Sequence, residues 1–169
     1  MVGLNCDHPD IYEFLHIKQN EEKLSSMNIS ILFTDEFMEA VKNDTDYTLR
    51  YHVESTGENI ERVIRARDFF MEFCETQWDW GDPGALFSDR LNDYHLLAGY
   101  PEYKIEITNP CGEFGGNAYN ACNLASINLY SMIDDKFSDE PKLNEEKFRQ
   151  TVYDGIAALD EIVSYGYDI

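Results

Sequence analysis

The sequence predicts an α/β fold, and three observations lead to that prediction. Apolar or β-rich runs alternate along the chain with segments whose apolar residues repeat at helical spacing. Helix-start signals follow the first two of these runs, as expected of strand-to-helix units. The composition supplies a core, because 43% of the residues are hydrophobic and 14% are aromatic.

The first strand-to-helix unit opens the chain. Residues 2–5 are a short apolar run, and we expect them to form a strand. Asp7 and Pro9 then resemble a helix start, because proline suits the first turn of a helix. The predicted helix carries four residues at helical spacing, namely Ile11, Phe14, Leu15 and Lys18.

The second unit repeats this arrangement. Residues 28–33 are rich in β-formers and predict a strand. Thr34 supplies an N-cap, and Asp35 and Glu36 place negative charge in the first helical turn, where the helix dipole favours it. The apolar positions of the predicted helix are Phe37, Met38 and Val41.

The middle of the chain predicts a strand and a long helix. Residues 47–53 alternate well enough for a strand, and residues 58–78 predict one continuous helix. Cys74 falls in the apolar stripe of that helix, where a cysteine is usually a buried core residue. The other apolar positions of this stripe are Ile60, Val63, Ile64, Phe70 and Met71.

A turn divides this helix from the next elements. Residues 81–84 read Gly-Asp-Pro-Gly, a strong turn signal. Residues 103–108 predict a strand that leads into the most reactive part of the chain. Between the turn and that strand we expect another helix, with apolar residues Leu86, Phe87, Leu91 and Tyr94.

The last stretch gives the clearest helix signal. Asn144 is placed to cap the helix, and Glu145 and Glu146 suit its first turn. The sequence shows two linker candidates, residues 114–120 and residues 134–143. An apolar stripe along this helix is predicted to be core rather than a cofactor site, and comprises Phe148, Val152, Ile156, Leu159 and Val163.

The segment 107–113, Ile-Thr-Asn-Pro-Cys-Gly-Glu, carries the chemistry. In an extended segment side chains alternate between faces, so Asn109, Cys111 and Glu113 would project to one side together. Pro110 fixes its own φ, and Gly112 lets a ligand approach the main chain closely. The alternative is a strand end that enters a turn, with the cysteine as a small buried hydrophobe.

A second cysteine, Cys122, follows eleven residues after Cys111. Two thiols on such a loop form a two-electron redox pair, a structural disulfide or two unrelated buried cysteines. The residues alone leave all three open, because spacing along the chain does not establish the Cα distance that a disulfide needs.

Taken together, these segments resemble the catalytic large subunit of ribonucleotide reductases. The Asn-Pro-Cys-Gly-Glu motif looks more like that of the adenosylcobalamin-dependent branch of that family. The resemblance extends over nearly the whole chain, in residues 4–11, 27–31, 34–38, 81–84, 109–113 and 122–129.

The resemblance implies a role for each reactive residue. Cys111 is expected to carry a thiyl radical that removes the 3′ hydrogen of a ribose, and Glu113 to act as the base on the 3′ hydroxyl. Asn109 is expected to hydrogen-bond the ribose hydroxyls. Cys122 is expected to be half of the cysteine pair that reduces the 2′ carbon and becomes a disulfide.

The resemblance also implies an architecture. Residues 1–169 are expected to be a single segment of a ten-stranded α/β barrel, with a finger loop near residues 107–124 and no second domain. The family's partner for Cys122 lies upstream of this segment, and only Cys6 and Cys74 remain as spare thiols, of which Cys6 is the alternative partner. The family's phosphate loop, allosteric sites and shuttle cysteines have no counterpart, so we expect the isolated chain to be inactive.

The family resemblance implies partners and a cofactor. The substrate is a ribonucleoside di- or triphosphate, the reductant is thioredoxin-like, and the remaining reductase polypeptide or a second copy completes the assembly. Adenosylcobalamin is the expected radical source, with a metal-containing small subunit as the alternative. Two other functions stay open, namely a non-catalytic structural or assembly fragment, and a thiol-disulfide protein that uses Cys111 and Cys122.

Charge and composition exclude several classes of function. The formal net charge of −20 repels nucleic acid phosphates, so no direct DNA or RNA binding is expected. No apolar run is long enough for a membrane span, and no secretion signal is visible. The four cysteines lack the Cys-x-x-Cys spacing of a structural zinc site. These features predict a cytoplasmic protein without a membrane partner or a bound metal.

Overall fold

The computed structural model describes residues 1–19 and 26–167. The chain divides into two compact units, Met1–Ala118 and Tyr119–Ile169, and each is described by itself. The boundary between the units falls inside the predicted linker at residues 114–120.

A parallel sheet forms the centre of the first unit. Its strands are β1 (Val2–Asn5), β2 (Ile29–Phe33) and β5 (Gly84–Phe87), in the order β1-β2-β5. Both pairings are parallel. All five residues of β2 are buried, as expected for the central strand of a sheet that is covered on both faces. The first two predicted strands are therefore confirmed.

Among the described residues of this unit, four α-helices accompany the sheet. They are α1 (Ile11–His16), α2 (Asp35–Asn43), α3 (Ala66–Trp80) and α4 (Ser88–Asp93). The predicted cap of α2 is confirmed, because the Thr34 hydroxyl accepts a hydrogen bond from the Phe37 N–H at 3.1 Å. The core between helices and sheet includes the buried side chains of Cys6, Ile11, Leu15, Ile31, Phe33, Phe37, Phe69 and Phe73.

The long helix predicted over residues 58–78 is wrong in its first third. Residues Glu58–Arg65 form strand β4, which pairs antiparallel with β3 (Asp46–Val53). The hairpin turns at Gly57, whose φ of 72° suits glycine. β-branched residues at 60, 63 and 64 fit a strand better than a helix. The helix itself is confirmed where α3 covers the prediction. Its buried face differs from the predicted stripe, because Met71 is 53% exposed and the buried residues are Ala66, Phe69, Phe73 and Thr76.

Two further boundaries differ from the prediction. Leu86 and Phe87, expected in a helix, end strand β5, and only Ser88–Asp93 is helical. The strand expected over residues 103–108 shrinks to β6 (Ile107–Thr108), preceded by a 3₁₀ turn at Pro101–Tyr103. The predicted turn at residues 81–84 is present, with Gly81 at a φ of 75° as the C-cap of α3.

The second unit contains one long helix and a short hairpin. Helix α5 (Glu145–Tyr167) follows a 3₁₀ turn at Leu129–Met132 and the pair β8 (Ile133–Asp134) and β9 (Lys142–Leu143). The predicted cap is confirmed, because the Asn144 side-chain oxygen accepts from the Lys147 N–H at 2.9 Å. The predicted linker at residues 134–143 is thus closed at its ends by paired strands.

The apolar stripe of α5 is not core, contrary to the prediction. Ile156 is 64% exposed, and Val152 and Val163 are also exposed. In the second unit only Met132 is a buried hydrophobic residue among those described, at 6% exposure. The stripe has the spacing of a buried face, but the described part of this unit offers too little apolar surface to cover it.

No closed barrel forms among residues 1–19 and 26–167, in which the largest sheet has three strands. Within the same residues no helix is both long enough and apolar enough to cross a membrane.

Candidate active site on the finger hairpin

The reactive segment is a small β-hairpin in the first unit. Strand β6 pairs antiparallel with β7 (Gly115–Gly116), in the register Ile107↔Gly116 and Thr108↔Gly115. We call residues 107–116 the finger hairpin. The Glu106 N–H donates to the Gly116 carbonyl at 3.0 Å and extends the ladder by one bond.

The tip of the finger hairpin is a turn rather than an extended strand. The Gly112 N–H donates to the Asn109 carbonyl at 3.0 Å, and Gly112 has a φ of 83°. Pro110 supplies the fixed φ that favours the first position inside a turn. The expectation of an extended segment is therefore wrong, because proline and a left-handed glycine reverse the chain here. Asn109, Cys111 and Glu113 share one turn, not one strand face.

Two polar side chains brace this turn. The buried Thr108 hydroxyl, in a residue 4% exposed, donates to the Asn109 carbonyl at 2.9 Å. The Asn109 side-chain oxygen accepts from the Phe114 N–H at 3.1 Å, and the Asn109 N–H donates to the Phe114 carbonyl at 3.2 Å. The backbone that carries Cys111 is thus held on both sides.

The two reactive groups on the turn face outward. Cys111 and Glu113 are both exposed. Within the described residues neither side chain takes part in a hydrogen bond or an ion pair. A thiol and a carboxylate two residues apart on a braced turn are available together to a molecule that docks on this hairpin. They meet the first condition for joint chemistry, which is a fixed local backbone.

The remaining cysteines differ in accessibility. Cys122 is exposed and belongs to the second unit, where the neighbouring Asn123 amide donates to the Leu159 carbonyl of α5 at 3.3 Å. Cys74 was predicted to be a buried core residue, and it is half-buried where it packs against the core of the first unit. Cys6 is fully buried, with its sulfur 3.9 Å from the Thr34 hydroxyl oxygen.

Burial also changes the acidity of Cys6. Removal from solvent raises the pKa of the Cys6 thiol, and hydrogen bonding to Thr34 opposes this only in part. A thiol with a raised pKa carries little thiolate at neutral pH and is a poor nucleophile. Its environment is therefore that of a structural cysteine.

A cavity of about 510 Å³ lies in the first unit where strands β1, β2 and β5 end. Its walls are formed in part by Asn5, Thr34 and Ser88. Carboxyl ends of parallel strands are a common place for ligands. The charged groups of its lining are three acids and one lysine, namely Asp7, Asp89, Glu106 and Lys104.

The chemistry of this cavity does not fit a cobalamin. A corrin ring presents a broad, largely apolar face, whereas the charged groups that line the cavity are mostly acidic. Among the described residues we therefore assign none to adenosylcobalamin, and we route no step through that cofactor. Those residues also contain no cluster of three or more His, Cys, Asp or Glu side chains that would hold a metal ion.

Comparison with known protein families decides the ancestry of the chain. The family model described as the barrel domain of ribonucleotide reductase matches residues 1–168. This chain belongs to the ribonucleotide reductase family. The match covers both compact units and includes the finger hairpin.

Individual ribonucleotide reductases are also similar to this chain over most of its length. A vitamin B12-dependent ribonucleoside-diphosphate reductase of Thermoplasma acidophilum is 35% identical over 161 residues, which cover 95% of this chain and 20% of that protein. A vitamin B12-dependent ribonucleotide reductase of Streptomyces clavuligerus is 32% identical, covering 95% of this chain and 18% of its own length. A Mycobacterium tuberculosis vitamin B12-dependent ribonucleoside-diphosphate reductase is 36% identical, over 86% of this chain and 20% of that protein.

The chain therefore spans about a fifth of the length of the curated relatives that it matches. Its resemblance to the B12-dependent branch of ribonucleotide reductases, predicted from the sequence, is confirmed by these names.

Sequence reasoning missed the residues that support the finger hairpin. Thr108, Phe114 and Asn92 all make hydrogen bonds that shape or anchor it. No local signal distinguishes Asn92, because it lies thirteen residues before its partner Ile105 and its contact exists only in the folded chain. Thr108 was visible as a polar residue next to the motif, but its burial was not.

Proposed function

We propose that this chain takes part in the radical reduction of ribonucleotides to deoxyribonucleotides, as a segment of the catalytic barrel of a larger reductase assembly. The observation that carries the proposal is the braced turn that presents Asn109, Cys111 and Glu113 together in a member of the B12-dependent family. In the proposed assembly this segment contributes part of a ten-stranded α/β barrel, with residues 107–124 as its finger loop.

Each residue of the turn has a proposed task. Cys111 carries the thiyl radical that removes the 3′ hydrogen of the ribose, and Glu113 accepts the proton of the 3′ hydroxyl. Glu113 suits a general base because its exposed carboxylate is free to approach a docked substrate. Asn109 contributes its amide N–H groups to the ribose hydroxyls, since its side-chain oxygen already accepts from Phe114.

The second half of the reaction needs two thiols. As the 2′ hydroxyl leaves as water, Cys122 and a partner cysteine supply two electrons to the 2′ carbon and become a disulfide. We place the partner on the remaining reductase polypeptide rather than at Cys6, whose buried thiol is a poor nucleophile. A thioredoxin-like dithiol then returns the pair to the reduced state.

The exposed reactive groups support the need for a partner polypeptide. A thiyl radical requires a site that excludes water and stray reductants, whereas Cys111 is exposed in this chain. Exposed apolar residues on α5 offer a surface that the same partner would cover. We therefore propose that the isolated chain is inactive, and that the remaining reductase polypeptide, or a second copy, encloses the finger hairpin.

The proposed substrate is a ribonucleoside di- or triphosphate, and the proposed location is the cytoplasm. The proposed radical source is adenosylcobalamin bound elsewhere in the assembly, in line with the names of the relatives. A metal-containing small subunit is the alternative source. Two alternative functions compete with reduction, namely a non-catalytic structural fragment, and a thiol-disulfide protein that uses Cys111 and Cys122.

The test is anaerobic ribonucleotide reduction by this chain with candidate partner polypeptides, adenosylcobalamin and a dithiol. We expect deoxyribonucleotide with the wild-type chain and none with Cys111→Ser. Cys74→Ala is the matched control, because Cys74 packs against the core of the first unit and is not part of the turn, and it should keep activity. Absence of product with every partner and either radical source would favour the structural fragment.

A further inference from the structure

The Asn92 side chain anchors the segment that enters the finger hairpin. It makes the two backbone hydrogen bonds that a neighbouring strand would make. The Asn92 side-chain oxygen accepts from the Ile105 N–H at 2.9 Å, and the Asn92 amide nitrogen donates to the Ile105 carbonyl at 3.1 Å. One amide thus satisfies both backbone groups of Ile105, as a paired strand would do. Ile105 stands two residues before β6, outside the ladder of the hairpin.

Asn92 is itself held in place. Its amide nitrogen also donates to the Ser88 carbonyl at 2.9 Å, within helix α4. That helix directly follows strand β5 of the parallel sheet. The side chain therefore connects the body of the first unit to the segment that enters the hairpin.

Ile105 also packs against β7, the second strand of the finger hairpin. Ile105 is 8% exposed, and a Cβ added to Gly115 would lie only 2.7 Å from the Ile105 Cδ1. The Ile105 side chain therefore lies directly against the Gly115 backbone in β7. Gly115 and Thr108 are register partners, so both strands of the hairpin depend on the position of Ile105.

We propose that Asn92 is a positioning residue that acts through Ile105 to fix the finger hairpin and hence the Cys111 thiol. This proposal rests on the proposed function where it concerns catalysis, but the mechanical part stands on the hydrogen bonds alone. Loss of the amide leaves both backbone groups of Ile105 without their partner and frees the base of the hairpin. Errors of about 1 Å in the placement of reacting groups cost roughly 100-fold in rate.

The first test measures motion at Cys111 in the full chain. A nitroxide label is attached to Cys111 in a Cys74→Ala, Cys122→Ser background, in which the remaining Cys6 is buried. We expect Asn92→Ala to narrow the EPR spectrum, which reports a more mobile label. Asn43→Ala is the matched control, since Asn43 ends helix α2 and its side chain bonds to the exposed Glu39 side chain, and its spectrum should equal that of the parent.

Circular dichroism shows whether Asn92→Ala folds. If it does not fold, Asn92→Asp provides the test instead. Asn92→Asp keeps an acceptor for the Ile105 N–H and loses the two donated bonds, so we expect a mobility between the parent and alanine. If a folded Asn92 variant shows the same label mobility as the parent, the proposal is overturned.

The second test uses the reconstituted assembly. Asn92→Ala should lower kcat about 100-fold with KM within roughly twofold, because the thiol is misplaced while substrate contacts remain. A mobile label combined with unchanged kcat would overturn the catalytic part. If the wild-type assembly yields no product, the proposed function fails instead, and the spectra still decide whether Asn92 holds the hairpin.

Discussion

Asn109 and Phe114 are hydrogen-bonded in both directions across the tip of the finger hairpin. The Asn109 N–H donates to the Phe114 carbonyl at 3.2 Å, and the Phe114 N–H donates to the Asn109 side-chain oxygen at 3.1 Å. The side chain of one residue thereby closes the turn that its own backbone begins. Asn109 has a structural task in addition to the contact with substrate that we propose.

This double task predicts different results for two substitutions of Asn109. Asn109→Asp keeps an acceptor for the Phe114 N–H, so the turn should persist, whereas Asn109→Ala removes it. A hydrogen bond contributes about 1 kcal/mol, so the Phe114 amide should exchange roughly fivefold faster in the alanine variant. Hydrogen exchange measured by NMR checks this. Equal exchange in the two variants would show that the side chain does not hold the turn. Both variants should lose activity in the assembly, because both lose the amide donors.

Glu113→Gln should lower ribonucleotide reduction by about 10²- to 10⁴-fold, because the amide cannot accept the proton of the 3′ hydroxyl. The folded chain should be unaffected, since Glu113 is exposed. Glu102→Gln is the control, as Glu102 is exposed in the 3₁₀ turn before the hairpin and should retain full activity. The measurement is product formation in single turnover. Comparable rates for Glu113→Gln and wild type would remove the base from the mechanism.

Gly115→Ala should destabilise the first unit by about 1–3 kcal/mol, the usual cost of overpacking. The added methyl meets three atoms of the Ile105 side chain between 2.7 and 3.2 Å, so that side chain has to move. Gly99→Ala is the matched control, because nothing lies within 4 Å of its added Cβ. Urea unfolding of both variants tests the difference. Similar unfolding free energies would mean that the hairpin tolerates a wider spacing from Ile105.

Because the Cys6 thiol is buried, we expect the free energy of unfolding to fall at alkaline pH. Burial raises the pKa of the folded thiol above its ordinary value near 8.5, so the neutral form favours the folded chain. This contribution is complete below about pH 8.5 and is lost as the pH rises toward the folded-state pKa.

Relative to Cys6→Ala, the wild type should therefore lose up to about 1.4 kcal/mol per pH unit in this window. Urea unfolding at about pH 7.5 and pH 9.5 provides the comparison. Tyr47 is present in both proteins, and its pKa is raised first by burial and also by Cys6, so Cys6→Ala removes part of the Tyr47 shift as well. A parallel decline of the two proteins would contradict the assignment to Cys6.

Ile156→Asp should leave the fold of the isolated chain unchanged and weaken its association with the proposed partner polypeptide at least 10-fold. Ile156 is 64% exposed here, so the charge stays in water until the partner covers it. Ala158→Asp adds the same charge to an exposed position about 200° around α5 and should bind normally. Affinity is measured by calorimetry. Equal affinities would place the interface away from this stripe.

The accuracy of the sequence-based predictions follows from how local each signal is. The cap at Thr34, the cap at Asn144 and the glycine at residue 81 depend on neighbours within four residues, and all three were predicted correctly. The start of α3 was not predicted, because the apolar spacing over residues 60–64 is helical, whereas the β-branched residue types at those positions favour a strand. Pairing with β3 stabilises the strand.

In the candidate site too, local signals were predictable and features that depend on the folded chain were not. The residues of segments 109–113 and 122–129, together with the upstream segments, were sufficient to identify the family. Their geometry was not predictable from alternation, since Pro110 and Gly112 replace an extended segment by a turn. The anchoring by Asn92 depends on a contact thirteen residues apart and was invisible in the sequence.

The exposure of the Cys111 thiol constrains the order of oxidation, docking and radical formation. An accessible thiol is open to peroxide and to disulfide exchange from the moment the chain folds. Under the proposed function, docking has to come before radical formation, and it also has to come before oxidation. Under the same proposal, an undocked chain would be inactivated by oxidation of Cys111, and the rate of docking would set its active lifetime.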